Sequence, residues 1–286
     1  MKKIKNILVA LDLSALDEKL IMYASFLAER LNVENVYFVH NIKKYEISEL
    51  FSEHLKDINL DEVIGDELNE KVKEHFKARA NWDVFISEDP YSESLIKYVV
   101  EKYSIDLAIV GNKKHENGTG VVSGKLLRLL KCDIVTVPKL AKEKINTIWA
   151  GTDFSHDSRK IFRVTKDLQE GHDSSLKVVH VYSVPLQFSP YVSAEEMGPQ
   201  VKKHVHEKYN KFIKKLNYSE PIEPLILLGR ESGAAKKILA NTKTSKDVDL
   251  LVVSDKGGNT FSPFAVGSVT EELFNSNLEV PLWVVK

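Results

Sequence analysis

The sequence predicts a doubly wound, mostly parallel α/β fold built twice in tandem, each copy around a five-stranded sheet. Three observations predict it. A long internal repeat divides the chain. Each half alternates apolar runs with amphipathic stretches of helical period. Several runs, such as Leu250 to Val253, are continuously apolar and suit strands buried on both faces.

The repeat is read from four landmarks. Ile7-Leu8-Val9-Ala10-Leu11-Asp12-Leu13-Ser14 recurs as Ile148-Trp149-Ala150-Gly151-Thr152-Asp153-Phe154-Ser155, placing Asp12 and Asp153 141 positions apart. Val39-His40 matches Val179-His180 at an offset of 140, and Asp106 to Gly111 matches Asp249 to Ser254 at 143. The last strands, ending at Val137 and Val285, are 148 apart. Such a slow drift is what loop lengthening between two copies of one domain produces. The expected domains are residues 1–140 and 145–286, joined by the lysine-rich stretch Lys139 to Lys144. A chain of 286 residues suits two cores better than one.

Within the second half, strands are expected near 146–151, 176–182, 222–228, 248–254 and 281–285. Helical stretches fall between them at 156–169, 193–216, 231–243 and 267–276. Strand–helix–strand order implies a parallel sheet, and right-handed crossovers put helices on both of its faces.

Composition narrows the partners. A net charge of −1 gives no global basic field for nucleic acid. No window reaches the roughly 20 apolar residues of a membrane helix. Asp12 interrupts the first apolar run, so a buried strand is expected there rather than a leader. Cys132 stands alone, which leaves no disulfide framework and no thiol cluster for zinc, and a reduced cytoplasmic setting is expected.

In open α/β sheets ligands bind beyond the carboxyl ends of the strands, where strand order reverses. Two segments of the second half belong there: Gly151-Thr152-Asp153, and Val253-Ser254-Asp255-Lys256-Gly257-Gly258 continuing to Gly267-Ser268-Val269-Thr270-Glu271. Gly257 and Gly258 let backbone approach a ligand without a Cβ in the way. Gly267 and Ser268 stand where a helix begins, so N–H groups there suit a phosphate, aided by the Ser268 and Thr270 hydroxyls. Asp153 offers a carboxylate for ribose hydroxyls or a base amino group. The strand Val179-His180-Val181 offers backbone groups and an apolar wall to a base edge.

These residues resemble the universal stress protein family. Its ATP-binding members carry Gly, two residues, Gly, nine residues, then Gly-Ser or Gly-Thr. Counting from Ser254 there are two residues to Gly257 and nine to Gly267, followed by Ser268, with serine in place of the first glycine. The resemblance spans nearly the whole chain. It implies a Rossmann-like, adenine-nucleotide-binding fold and an ATP, ADP or AMP site, with Mg, formed by Gly151, Thr152, Asp153, Val181, Val253, Ser254, Gly257, Gly267, Ser268 and Val269.

The first half keeps Asp12 and Gly111, but its glycine pattern fails. Rigid counting from Gly111 puts Lys114 and Gly124-Lys125 at the later positions. A register with a loop about four residues shorter pairs Gly120-Val121-Val122-Ser123 with Gly267-Ser268-Val269-Thr270. Either way the phosphate-facing hydroxyl becomes lysine or valine, and a degenerate, scaffold-like first domain is expected.

Other motifs are weaker. Gly120 to Leu126 mimics a phosphate loop, but Thr119 and Leu126 occupy its first glycine and its metal-binding hydroxyl positions. His204 and His206, two apart on a helix, point to different faces. Lys43 to Glu67 and Tyr191 to Gln200 read as long excursions suited to lids or docking. No nucleophile–base signature is present, and Thr152-Asp153-Phe154-Ser155 does not match the Ser-Gly-Gly-x-Asp-Ser loop of ATP pyrophosphatases. The leading expectation is a nucleotide-binding stress or regulatory protein, with the loop Ser254 to Ala265 as its bistable element. The alternatives are a weak ATPase or phosphotransferase, with Asp153 or Asp255 placing magnesium, and a nucleotide-independent interaction module. The resemblance further implies pairing through the last strand, as an intramolecular pseudo-dimer or a homodimer, and an unknown protein partner.

Overall fold

The computed structural model describes residues 3–43, 58–112, 121–183, 194–216, 218, 221–229, 233–245, 247–258 and 265–286, with backbone alone at 121–123 and 194–196. The expectations for Lys114 and Gly120, and for residues 44–57, 191–193 and 259–264 of the expected loops, therefore lie outside the described residues, whereas 60–67 and 194–200, read from the sequence as parts of long excursions, belong to helices. The chain divides into two compact units, Met1–Lys144 and Ile145–Lys286.

In the first unit the elements run β1 (Asn6–Leu11), α1 (Asp17–Leu31), β2 (Asn35–Asn41), α2 (Leu60–His75), β3 (Asn81–Ser87), α3 (Ser92–Lys102), β4 (Leu107–Asn112), α4 (Val121–Leu129) and β5 (Asp133–Pro138). Parallel ladders join them in the order β3-β2-β1-β4-β5. The order reverses between β1 and β4, which makes the sheet doubly wound. Buried strand centres explain the continuous apolar runs: Ile7, Leu8, Val9, Leu107, Ala108 and Ile109 have no solvent exposure. Helix α1 buries Leu20, Ile21, Tyr23, Ala24, Leu27 and Ala28, one face at helical spacing. It ends at Asn32, whose left-handed φ of 51° closes the last turn.

The second unit repeats this with β6 (Thr147–Gly151), a 3-10 turn (Asp157–Lys160), α5 (Ile161–Gln169), β7 (Ser175–Tyr182), α6 (Ala194–Lys214), β8 (Ile222–Leu228), α7 (Ala234–Ser245), β9 (Leu250–Ser254), α8 (Ser268–Phe274) and β10 (Leu282–Val285). Its parallel order is β8-β7-β6-β9-β10. The five strands and four helical stretches expected from the sequence are all present; the main difference is that the first helical stretch opens as a 3-10 turn. Pro224 in the edge strand β8 pairs with Val178 on one side only, the sheet position where a missing N–H is tolerated.

The burial of α4 bears on the register of the first half. Leu126 and Leu127 are buried as Leu273 and Phe274 are, an offset of 147. The same offset sets Val121 opposite Ser268, as in the register with the shortened loop.

Candidate functional site

At the carboxyl ends of β6 and β9, where the strand order of the second unit reverses, lies a cleft of about 270 Å³. All ten residues singled out from the sequence line it: Gly151, Thr152, Asp153, Val181, Val253, Ser254, Gly257, Gly267, Ser268 and Val269. Val179, His180, Lys256 and Thr270 complete the rim from the same segments, and Ala234 and Ile238 of α7 form a wall that the sequence did not point to. Their spacing of four was visible in the sequence, but which side of α7 faces the cleft depends on how the helix docks.

The tip of β6 is held by a relay of hydroxyls. Phe154 N–H donates to Thr152 Oγ1 at 2.9 Å, and Thr152 Oγ1 lies 2.7 Å from Ser158 Oγ. Ser158 Oγ in turn donates to Ser155 O at 3.0 Å. Phe154 takes a left-handed φ of 63°, an unfavourable conformation for a bulky side chain. Its ring is anchored on His180, with centroids 4.2 Å apart, and packs against Phe212 and Tyr209 of α6 at 5.5 and 6.3 Å.

Asp153 then faces the glycine loop. Its Oδ2 accepts Gly258 N–H at 2.7 Å and its Oδ1 accepts Ser155 N–H at 3.0 Å. A Cβ on Gly257 would stand 2.8 Å from Asp153 Oδ2, so glycine there is a matter of space. Burial acts to raise the Asp153 carboxyl, but the hydrogen bonds from Ser155 and Gly258 outweigh it and hold the group below its ordinary value. It is an anion at neutral pH.

Three polar groups serve the framework more than the cleft. Thr270 Oγ1 donates to Ser254 O at 2.6 Å and is buried, so its hydroxyl ties α8 to β9. Ser254 Oγ donates to Lys256 O at 2.5 Å. Asp255 pairs with Lys160 of the 3-10 turn, its backbone N–H donates to Val285 O at 2.9 Å, and its carbonyl accepts Gly267 N–H at 2.7 Å. It is a clamp between segments and does not line the cleft. Gly267 caps α8, whose first intrahelical bond runs from Glu271 N to Gly267 O at 2.9 Å. The N–H groups of Ser268, Val269 and Thr270 precede that bond and have no intrahelical acceptor, and these three residues line the cleft.

The first unit shows the same frame with different chemistry. His40 Nδ1 meets Leu11 O at 3.1 Å, as His180 Nδ1 meets Thr152 O at 2.8 Å. A carbonyl only accepts, so in each pair Nδ1 carries the proton. Leu13 repeats the left-handed φ of Phe154, at 61°. Where the second unit uses Thr152 and Ser158, the first uses Asp17, fully buried, whose carboxylate accepts Asp12 N–H at 3.2 Å and Leu13 N–H at 2.8 Å. At the tip of β4, Leu16 lies so close over Gly111 that a Cβ there would be 2.6 Å from Leu16 Cδ2.

Both histidines make stability depend on pH. Burial, only partly offset by the carbonyl contacts, holds His40 and His180 below their ordinary value of 6.5. Each therefore binds fewer protons folded than unfolded, so its contribution is full above that value and is lost as pH falls below it. Urea unfolding midpoints should drop between pH 7.5 and 5.5, and the His40→Gln, His180→Gln double variant should show a smaller drop.

Two doubly wound units in tandem, one with a glycine-lined cleft at its strand-order reversal, define the class: a tandem α/β protein with a strand-tip site. The sequence matches the universal stress protein family over residues 3–138 and again over 144–286. The chain belongs to that family. No match was found among curated protein sequences. Among solved structures it is similar to a universal stress protein from Archaeoglobus fulgidus DSM 4304, at 17% identity, covering 98% of this chain and 96% of that one with a TM-score of 0.63. It is also similar to a protein of unknown function from Pseudomonas aeruginosa PAO1, at 15% identity, covering 99% and 92% with a TM-score of 0.67. At such identities the likeness is one of fold. No helix among the described residues is long and apolar enough to cross a membrane.

Proposed function

We propose that the second unit binds an adenine nucleotide, ATP or its di- or monophosphate, and that the protein acts as a nucleotide-binding stress or regulatory protein. The observation that carries this reading is the convergence, on one cleft at the strand-order reversal, of the four positions of the interrupted glycine pattern with Gly151, Thr152, Asp153, Val181, Val253 and Val269. The backbone and apolar side chain of Val181 suit a base. Asp153, anionic and exposed, suits ribose hydroxyls, and its hold on Gly258 fixes the loop beside it. The N–H groups of Ser268 and Val269 suit phosphate oxygens. At about 270 Å³ the cleft lies just below the usual range of ligand sites, which suits enclosure of the nucleoside with the phosphates at the open start of α8.

No group of three or more His, Cys, Asp or Glu side chains placed to hold a metal occurs among the described residues. Magnesium would arrive on the phosphates, where the Ser268 hydroxyl at the helix start could serve as a protein ligand. Asp255, occupied by Lys160, is a poor metal ligand, which weighs against the hydrolytic alternative. The first unit is assigned a scaffold role: Val121 stands opposite Ser268, and Leu16 covers the tip of β4.

Calorimetric titration of nucleotide-stripped protein with Mg-ATP tests the reading. One site per chain is expected, weakened about tenfold or more in Asp153→Ala, since a lost hydrogen bond to a charged group is worth about 1.5–3 kcal/mol. Two sites would reverse the assignment of the first unit, and no binding at millimolar ATP would sink the nucleotide reading.

A further inference from the structure

The repeat offset of 141 that relates Asp12 to Asp153 also aligns α2 with α6, and the alignment exposes a reversal of charge. The core-facing positions agree in character: Ile64, Leu68 and Val72 fall on Val205, Tyr209 and Ile213. Leu68 and Val72 are fully buried, and Val205 and Tyr209 nearly so. The solvent face does not agree. Asp61, Glu62, Glu67, Glu70 and Glu74 fall on Lys202, Lys203, Lys208, Lys211 and Lys215, five reversals of sign at equivalent positions. All ten of these side chains are exposed.

Within each helix the charges form a line. Glu67, Glu70 and Glu74 stand at i, i+3 and i+7 on α2, and Lys208, Lys211 and Lys215 stand at the same spacing on α6 and its last turn. The acidic line is partly answered by its own helix, through Lys71–Glu67 at 3.5 Å and Lys73–Glu70 at 3.8 Å. Among the described residues none of the five lysines has an ion-pair partner within 4.0 Å. The net charge of −1 thus conceals two faces of opposite sign that cancel in the sum. Folding does not demand this, since the same fold is built once with the acids and once with the lysines.

We propose that these faces are the two halves of a self-association surface, on which α2 of one copy of this chain docks against α6 of a second copy. A nucleic acid or an anionic membrane would fit the lysine face alone and leave the acidic one without a role. A second copy supplies the complement to both, with matched spacing along the two helices. Such contacts between exposed charges steer association and fix register more than they add affinity, so the complex is weak and sensitive to salt. The inference stands independently of the nucleotide site.

Sedimentation velocity of the full chain, with and without added salt, is the test. The wild type should associate at low ionic strength, and about 0.3 M added salt should weaken association about tenfold or more, because the Debye length then falls to about 6 Å. The triple variant Lys208→Glu, Lys211→Glu, Lys215→Glu should be monomeric, and so should Glu67→Lys, Glu70→Lys, Glu74→Lys. An equimolar mixture of the two variants should associate again, because each now carries the complement of the other. Thermal midpoints close to wild type will show that both variants keep the fold. A monomeric wild type at low salt would overturn the proposal, as would association that survives salt and both reversals, or a mixture that stays monomeric. Retention of wild type on heparin or on anionic vesicles without self-association would also overturn it, in favour of a polyanionic partner.

Discussion

Replacing Gly257 by valine should weaken Mg-ATP binding by about thirtyfold, the equivalent of about 2 kcal/mol of steric displacement. A Cβ at this position would stand 2.8 Å from Asp153 Oδ2, closer than real contacts allow. Either the carboxylate swings aside or the loop lifts, and in both cases the 2.7 Å bond from Gly258 N–H to Asp153 is lost. The carboxylate and the glycine loop would then no longer share one geometry. Calorimetry reads the effect directly. The thermal midpoint should move little, because the displaced atoms lie at a solvent-facing rim and not in the core. An affinity equal to wild type would show that the loop is not part of the binding surface. Gly258 is the natural comparison, since a Cβ there meets Ser155 Cβ at 3.1 Å and Asp153 Oδ2 only at 3.7 Å, a less severe overlap than the 2.8 Å at Gly257. Gly258→Ala should therefore cost less.

The largest effect on stability is expected in the other unit. Asp17→Ala should destabilise the first unit by about 3 kcal/mol, a shift of about 10 °C in its thermal midpoint. The Asp17 side chain is fully buried, and its carboxylate accepts the N–H groups of Asp12 and Leu13 at the end of β1. Alanine would leave both donors without their acceptor, at a turn already held in the left-handed conformation of Leu13. Asp17→Asn keeps one acceptor oxygen and should cost about half as much. Differential scanning calorimetry checks both, and a cost below about 1 kcal/mol for alanine would show that solvent or a shifted backbone satisfies the two N–H groups.

The sheet was legible because its signals are local and repeated. Leu250 to Val253 reads as a buried strand without reference to anything distant, and the recurrence of the Asp12 and Asp153 segments reports the second copy directly. The cleft was legible for a related reason. Glycine spacing after β9 reflects short-range needs of backbone, and those needs survive as a pattern along the chain. Asp255 shows where such reading stops. In sequence it stands between strand and glycines, as eligible as Asp153 to place a magnesium ion. Only the fold reveals that Lys160, 95 positions away, holds it outside the cleft. Thr270 is similar: its hydroxyl lies next to the site in sequence, yet it is spent on Ser254 O. Ala234 and Ile238 were missed because a helix advertises an apolar face, but not which neighbour that face will meet.

The sequence alone determined the tandem repeat, the alternation of strands and helices and the parallel doubly wound sheets, and its resemblance to a known family pointed to ten of the residues that line the cleft. The repeat and the sheets follow from periodicity, which is local and needs no distant partner to be read. The tertiary structure decided the partners. It set Asp153 on Gly258, Asp255 on Lys160, Asp17 under the tip of β1 and Leu16 over Gly111, because hydrogen bonds and contacts depend on distances that folding creates between residues far apart in the chain. The charge reversal between α2 and α6 needed both. Its residues are plain in the sequence, but the burial of Leu68 and Tyr209 is what turns those ten charges outward on two equivalent faces.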